Sequence, residues 1–173
     1  HPVILSTKSN GFVYESIALL NQYNYVISRI KIGDQFFLLD ASDNRLGFGK
    51  LPEDCYNGSG RLIDKVPGLI NLSSDLAKEE KASNMFIVNN EKGGIEGVFN
   101  SKLGEYESYA VREKMTKMKK EDMLKEIAKE MSSEIKVDNL ELDSLKLYDE
   151  PIGLRYDLKF DFNGEDVIYF NPM

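Results

Sequence analysis

Three features of this 173-residue chain predict an α+β fold, with mostly antiparallel sheets and one or two helices. Leu154, Tyr156, Leu158, Phe160 and Phe162 alternate strictly with Arg155, Asp157, Lys159 and Asp161, the period-two pattern of a half-exposed strand. Asn84 to Asn89 and Ile95 to Leu103 flank Asn90-Glu91-Lys92-Gly93-Gly94, a strong hairpin signal. Between them and the last strands, Val111, Met115 and Met118, then Met123, Leu124, Ile127, Ala128 and Met131, recur at helical spacing, placing helices near 105–132.

The elements follow in chain order. Pro2 to Ser6 reads as a strand, and Lys8-Ser9-Asn10-Gly11 as a turn cluster. Glu15 to Gln22 is a short helical candidate. Tyr23 to Asp43 reads as two strands joined at Gly33-Asp34. Val26, Ser28, Ile30 and Ile32 fall on one parity and Tyr25, Ile27, Arg29 and Lys31 on the other. Gln35 to Leu39 is almost wholly apolar, as expected of a strand covered on both faces. A loop rich in Gly, Pro and Asn runs from Asn44 to Gly60, long enough to be functional or packed as a lid.

Arg61 to Ile63 is a short strand candidate, after which Pro67-Gly68, Ser73-Ser74 and the charge run Lys78-Glu79-Glu80-Lys81 mark a boundary. The division is placed at residues 1–65 and 66–173. The charge-dense Lys117 to Asp122 segment separates two helices, and Ser132-Ser133 ends the second. Ile135, Val137, Leu140 and Leu142 alternate imperfectly. Asn163-Gly164 then turns the last strong strand into Val167 to Phe170.

Composition narrows the function classes. Apolar residues make up 42% and charged residues 29%, the balance of a globular domain rather than a disordered chain. A net charge of −7 repels phosphate backbones, so nucleic acid is not an expected partner. No apolar run reaches the length of a membrane span. Cys55 is the single cysteine and His1 the single histidine, so no metal-ligand spacing exists. Gly58-Ser59-Gly60 lacks the Lys-Ser/Thr of a phosphate loop and reads as a turn. No cofactor is implied. Lys114 to Lys129 is interleaved with Glu and Asp, which marks a solvated helix face. The Met set, Met115, Met118, Met123 and Met131, is expected to fill core.

Asp40 is the residue to explain first, because a carboxylate ending an apolar strand needs a hydrogen-bond partner or a task. Two readings stand: an acid that orients a catalytic base, or a cap for the loop that follows. Asn-Tyr-Val-Ile at 24–27 and Leu-Leu-Asp-Ala-Ser at 38–42 resemble the second half of a transglutaminase-like domain, which shares its Cys-His-Asp logic with papain-like enzymes. The flanking words PVILSTKSNG (2–11) and LGFGKLPEDCYNGSGRLI (46–63) are similar to large transglutaminase-like proteins of Bacteroidetes-type bacteria. Residues from about 66 onward resemble their C-terminal extension more loosely.

The resemblance implies that Asp40 holds the position of the triad acid and that Tyr25 stands where the family has His, or Asn24 if the register slips by one. It places the family Cys upstream of these residues, so Cys55 is a packing thiol rather than the nucleophile. A phenol, with a reference pKa of about 10, does not replace an imidazole as a base at neutral pH. A triad acts as a unit, so losing the base removes most of the chemistry. The expected function is therefore a non-catalytic structural or binding module, a truncated and degenerate transglutaminase-like region of a larger bacterial protein. The alternative is a fragment of a thiol acyltransferase or amide hydrolase whose Cys lies upstream. The rest of the parent polypeptide, or a protein or peptide, is the expected partner. A periplasmic or cell-envelope location follows from the resemblance alone.

Overall fold

The computed structural model describes residues 1–14, 16–17, 19–90 and 94–161, and the fold is α+β with all strand pairs antiparallel. The expected strand from Val167 to Phe170 and its Asn163-Gly164 turn lie outside these residues, as do Phe162 and the Glu91 to Gly93 tip of the hairpin. The chain forms two compact units. One comprises His1–Glu80 with Tyr148–Glu150, and the other Lys81–Leu147 with the chain from Pro151 onward.

The first unit is a five-stranded sheet built from β1 (Pro2–Leu5), β2 (Tyr25–Ile32), β3 (Gln35–Leu39), β4 (Gly58–Leu62) and β5 (Gly68–Leu72), in the order β3-β2-β1-β4-β5. Gly33 has φ of +60° and leaves Ile32 opposite Gln35, so a two-residue turn closes the hairpin. β3 is an edge strand, not one covered on both faces. Gln35 and Phe36 are exposed, and the apolar run is shielded locally instead. The Arg29 guanidinium lies 3.6 Å from the Phe36 ring centre, and Phe48 packs tilted on Phe37.

Further sequence readings change in this unit. Gly58-Ser59-Gly60 is strand rather than turn, and Gly68–Leu72 pairs with it, so Pro67-Gly68 lies within the first sheet rather than ahead of a new unit. Gly60 is needed for close packing, because a Cβ there would sit 2.9 Å from both Leu72 Cδ1 and Val3 Cγ1. The described residues of the helix expected over Glu15 to Gln22 form no α-helix. Of these, Leu20–Gln22 make a single 3-10 turn. The Gln22 side chain accepts from Tyr14 N–H at 2.7 Å and donates to the Ile17 carbonyl at 2.9 Å. A two-turn helix is marginal alone, and these local bonds offer the backbone an alternative.

The core of the unit is Val3, Leu5, Ile27, Leu62 and Leu72 from the strands, with Leu51, Cys55 and Tyr56 from the long loop. The loop is thus packed into the fold rather than suspended over it.

The second unit is a four-stranded sheet with two helices. β6 (Ala82–Asn89) and β7 (Ile95–Lys102) form the expected hairpin. β8 (Ile135–Leu142) and β9 (Gly153–Phe160) complete the order β6-β7-β9-β8. In β9, Leu154, Tyr156, Leu158 and Phe160 are buried, so the strict alternation named the core face correctly. The imperfect alternation of β8 has a cause: its register shifts between Asp138 and Glu141, and Asn139 has φ of +54°.

α1 (Glu105–Lys117) and α2 (Lys120–Glu130) break where the charged segment predicted. Each carries acids in its first turn and lysine in its last, as the helix dipole favours. Met123 is buried, and Met115, Met118 and Met131 pack around it with Val111, Leu124 and Ile127 on the β9 core face. No helix among the described residues is long and apolar enough to cross a membrane.

Candidate functional site

The sheet order determines where the candidate residues meet. β1 ends at Leu5 where β2 begins at Tyr25, and Leu5 pairs with both Tyr25 and Gly60 near the start of β4. β3 ends at the same edge, with Leu39 opposite Ser28. Four strand ends therefore gather at one end of the first sheet. The loop from β3 to β4 must pass β2 and β1 to reach its strand, and it carries Cys55 back towards Asp40.

Continuing the β2–β3 register past Leu39 brings the two predicted residues together on one face. Tyr25 Oη donates to Asp40 Oδ2 at 2.8 Å. Ser42 Oγ lies 2.7 Å from Tyr25 Oη, and since the phenol proton goes to Asp40, Ser42 is the donor. The other carboxylate oxygen, Oδ1, accepts the Ser42 N–H at 2.8 Å, so Asp40 also caps the loop that follows. Asp40 thus caps its loop, as one of its two sequence readings expected, and its other oxygen accepts the Tyr25 hydroxyl.

Asn24, the alternative position, is structural. Its side chain accepts from Thr7 N–H at 2.9 Å and donates to Thr7 Oγ1 at 2.8 Å. His1 extends β1 opposite Arg29, towards the far end of β2 from Tyr25, with Nδ1 3.1 Å from Asp64 Oδ2. The single histidine of the chain is therefore remote from Asp40.

Electrostatics give the cluster its character. The Ser42 hydroxyl pulls the Tyr25 phenol down, but burial, the hydrogen bond to Asp40 and the Asp40 charge outweigh it. The phenol therefore sits above its ordinary value of 10.0. Cys55 is buried, and burial first, then the charges of Asp40 and Asp54, push its thiol up to about 11. Neither group ionises near neutrality. The arrangement holds a carboxylate with neutral donors around it. It supplies no imidazole to pass a proton and no thiolate to attack a carbonyl. Among the described residues, no group of three or more His, Cys, Asp or Glu is placed to hold a metal ion.

The sequence reading missed two contributors. Asn57 Nδ2 donates to the carbonyls of Ser6, Thr7 and Gly11 at 3.3, 3.2 and 2.9 Å. Asp54 accepts from Ser9 N–H at 3.2 Å and Ser9 Oγ at 2.8 Å, which holds its carboxyl below the ordinary range. Together they tie the long loop to the turn after β1. The loop's many turn-forming residues masked these bonds, which span 45 to 51 positions of chain.

The Cys55 environment carries a testable consequence. A thiol whose folded pKa exceeds its unfolded value of 9.0 supports the fold fully below pH 9, and that support is lost as pH rises from there to about 11. Denaturation midpoints of the wild type should therefore fall across this window more steeply than those of Cys55→Ala. A pH-independent difference between the two proteins would contradict the assignment.

No protein-family model, curated protein or solved structure matches the chain.

Proposed function

We propose that the first unit is a non-catalytic structural or binding module, a degenerate transglutaminase-like region belonging to a larger bacterial protein. The carrying observation is the 2.8 Å hydrogen bond from Tyr25 Oη to Asp40 Oδ2. The hairpin juxtaposes positions 25 and 40 as a base and its orienting acid would be juxtaposed, which supports the resemblance of the NYVI and LLDAS segments. A phenol shifted above its ordinary value fills the place of the base, and the thiol nearby in this unit stays protonated. Those two facts support a structural use of the frame. On this reading the Tyr25–Asp40–Ser42 bonds fix the β2–β3 corner, and the partner is the parent polypeptide or a protein or peptide. A cell-envelope setting belongs to the same proposal.

The test is enzymatic and thermodynamic together. The chain should show no amidase or transglutaminase turnover on glutamine-containing peptides with an amine acceptor. Tyr25→Phe should lower stability by about 1 kcal/mol, the usual net value of one such bond. Turnover that Asp40→Asn abolishes would overturn the proposal and favour the thiol acyltransferase or amide hydrolase reading. An unchanged stability in Tyr25→Phe would remove the structural role.

A further inference from the structure

The two edges of the second sheet are treated differently. The β8 edge is protected in the ways natural edges usually are. Its register shifts between Asp138 and Glu141, and Lys136, Asp138 and Glu141 place charges along it. The β6 edge has none of these devices. Its eight residues, Ala-Ser-Asn-Met-Phe-Ile-Val-Asn, contain no charge and no proline, and they pair with β7 without a register shift. All eight are exposed, Phe86 at 66% and Val88 at 61%. Such a strand is a template for pairing with another strand.

The ladder phase identifies which backbone groups face outward. Asn90 N–H donates to the Gly94 carbonyl at 2.7 Å, and on the far side of β7 Leu103 N–H donates to the Ile152 carbonyl at 3.0 Å. Hydrogen-bonded pairs alternate along an antiparallel ladder. Residues 82, 84, 86 and 88 therefore bond β7, and the N–H and C=O groups of Ser83, Met85, Ile87 and Asn89 point away from it. This outward set is centred on Phe86.

We infer that β6 pairs antiparallel with β6 of a second copy about a two-fold axis at Phe86, making one continuous sheet across a homodimer. The register follows from the phase. Ser83 meets Asn89 of the partner copy and Met85 meets Ile87, giving about eight inter-chain backbone bonds. Phe86 then faces its own copy in a non-hydrogen-bonded pair, where side chains approach most closely. The axis is perpendicular to the sheet, so Met85 and Ile87 stay on the helix-bearing face in both copies. Phe86 and Val88 join Val98 on the opposite face.

A second copy suits this edge because the pattern is self-complementary. The polar ends pair with each other, the apolar centre pairs with itself, and an uncharged strand meets no like charge. Pairing of this length covers roughly 800 to 1,000 Å² in all, at the low end for a specific interface, so the dimer should be weak and concentration-dependent.

Sedimentation velocity of the whole chain over a wide concentration range should show a reversible monomer–dimer equilibrium. Phe86→Lys puts like charges face to face and should weaken the dimer by about tenfold or more. Ile87→Pro removes an outward donor and leaves the β7 ladder intact, so it should have a similar effect while circular dichroism is unchanged. Phe86→Cys should form a disulfide-linked dimer on oxidation, and Val88→Cys should not, because it faces Asn84. Any of three results overturns the inference: a monomer at every concentration, a dimer that both Phe86→Lys and Ile87→Pro leave unchanged, or equal crosslinking at positions 86 and 88.

Discussion

Replacing Arg112 with alanine should destabilise the second unit by about 3 kcal/mol, the cost of stripping partners from a buried charge-assisted network. Arg112 lies on α1 and is only 4% exposed. Its Nε donates to the Leu145 carbonyl at 3.2 Å, and one terminal nitrogen donates to the carbonyls of Ser144 at 3.2 Å and Leu147 at 2.8 Å. These three carbonyls belong to the connection from β8 to β9, which turns through Ser144 at φ of +51°. The guanidinium therefore holds a strained loop by its backbone.

One turn earlier on α1, the fully buried Ser108 Oγ accepts the Ile152 N–H at 2.8 Å, at the entry to β9. The polar stripe of α1 thus organises both ends of that connection. Arg112→Ala would remove the guanidinium's three bonds to these part-buried carbonyls and leave a cavity beside them. Arg112→Lys keeps the charge but loses the planar fork, so it should recover less than half of the loss. Thermal and urea denaturation followed by circular dichroism would measure this. A loss below about 1 kcal/mol in Arg112→Ala would show that water satisfies the carbonyls instead.

The contrast between Arg112 and β9 shows what kind of information the sequence carries. The β9 strand was legible because burial there is written residue by residue: an apolar side chain at every second position and a charge between. The hairpin from 84 to 103 and the break between α1 and α2 were legible for the same local reason. Arg112 was not, because its partners are backbone carbonyls 32 to 35 positions away, which leave no mark in composition. The strand β5 was hidden by punctuation. Pro67-Gly68 signals an ending locally, and only the pairing of Leu62 with Gly68 shows that the chain turns back into the same sheet.

Parity in β2 was visible, but its meaning was not. Ile27 is buried while Val26 and Ile32 are exposed, and which parity is covered depends on packing from chain distant in sequence. At the candidate site the same division holds. The sequence pointed to Tyr25 and Asp40 through their neighbours, and the antiparallel register brings them within hydrogen-bond reach. The approach of Cys55 to the Asp40 charge depends on a loop path that only the strand order dictates. A residue set apart in the linear reading therefore belongs to the same electrostatic neighbourhood.

That path makes Asn57 a sensitive position of the first unit. Asn57→Ala should cost about 2 kcal/mol, because its amide shares its two N–H bonds among three carbonyls in a largely buried place. Asn57→Asp should cost more than Asn57→Ala, since a carboxylate accepts and would face those same three oxygens without a proton to offer. The ordering separates this role from a simple loss of volume, which would make alanine the worse substitution.

The loop that Asn57 secures also contains Cys55, two positions earlier, so the same variants should expose the thiol. Where opening is fast relative to modification, the labelling rate follows the free energy of local opening. A loss of about 2 kcal/mol should then raise Cys55 labelling by a thiol reagent about thirtyfold at neutral pH. Global unfolding would raise labelling only as far as the denaturation midpoint allows. Faster labelling with a nearly unchanged midpoint would show that the loop opens on its own, and labelling as slow as wild type in Asn57→Asp would disprove the tether.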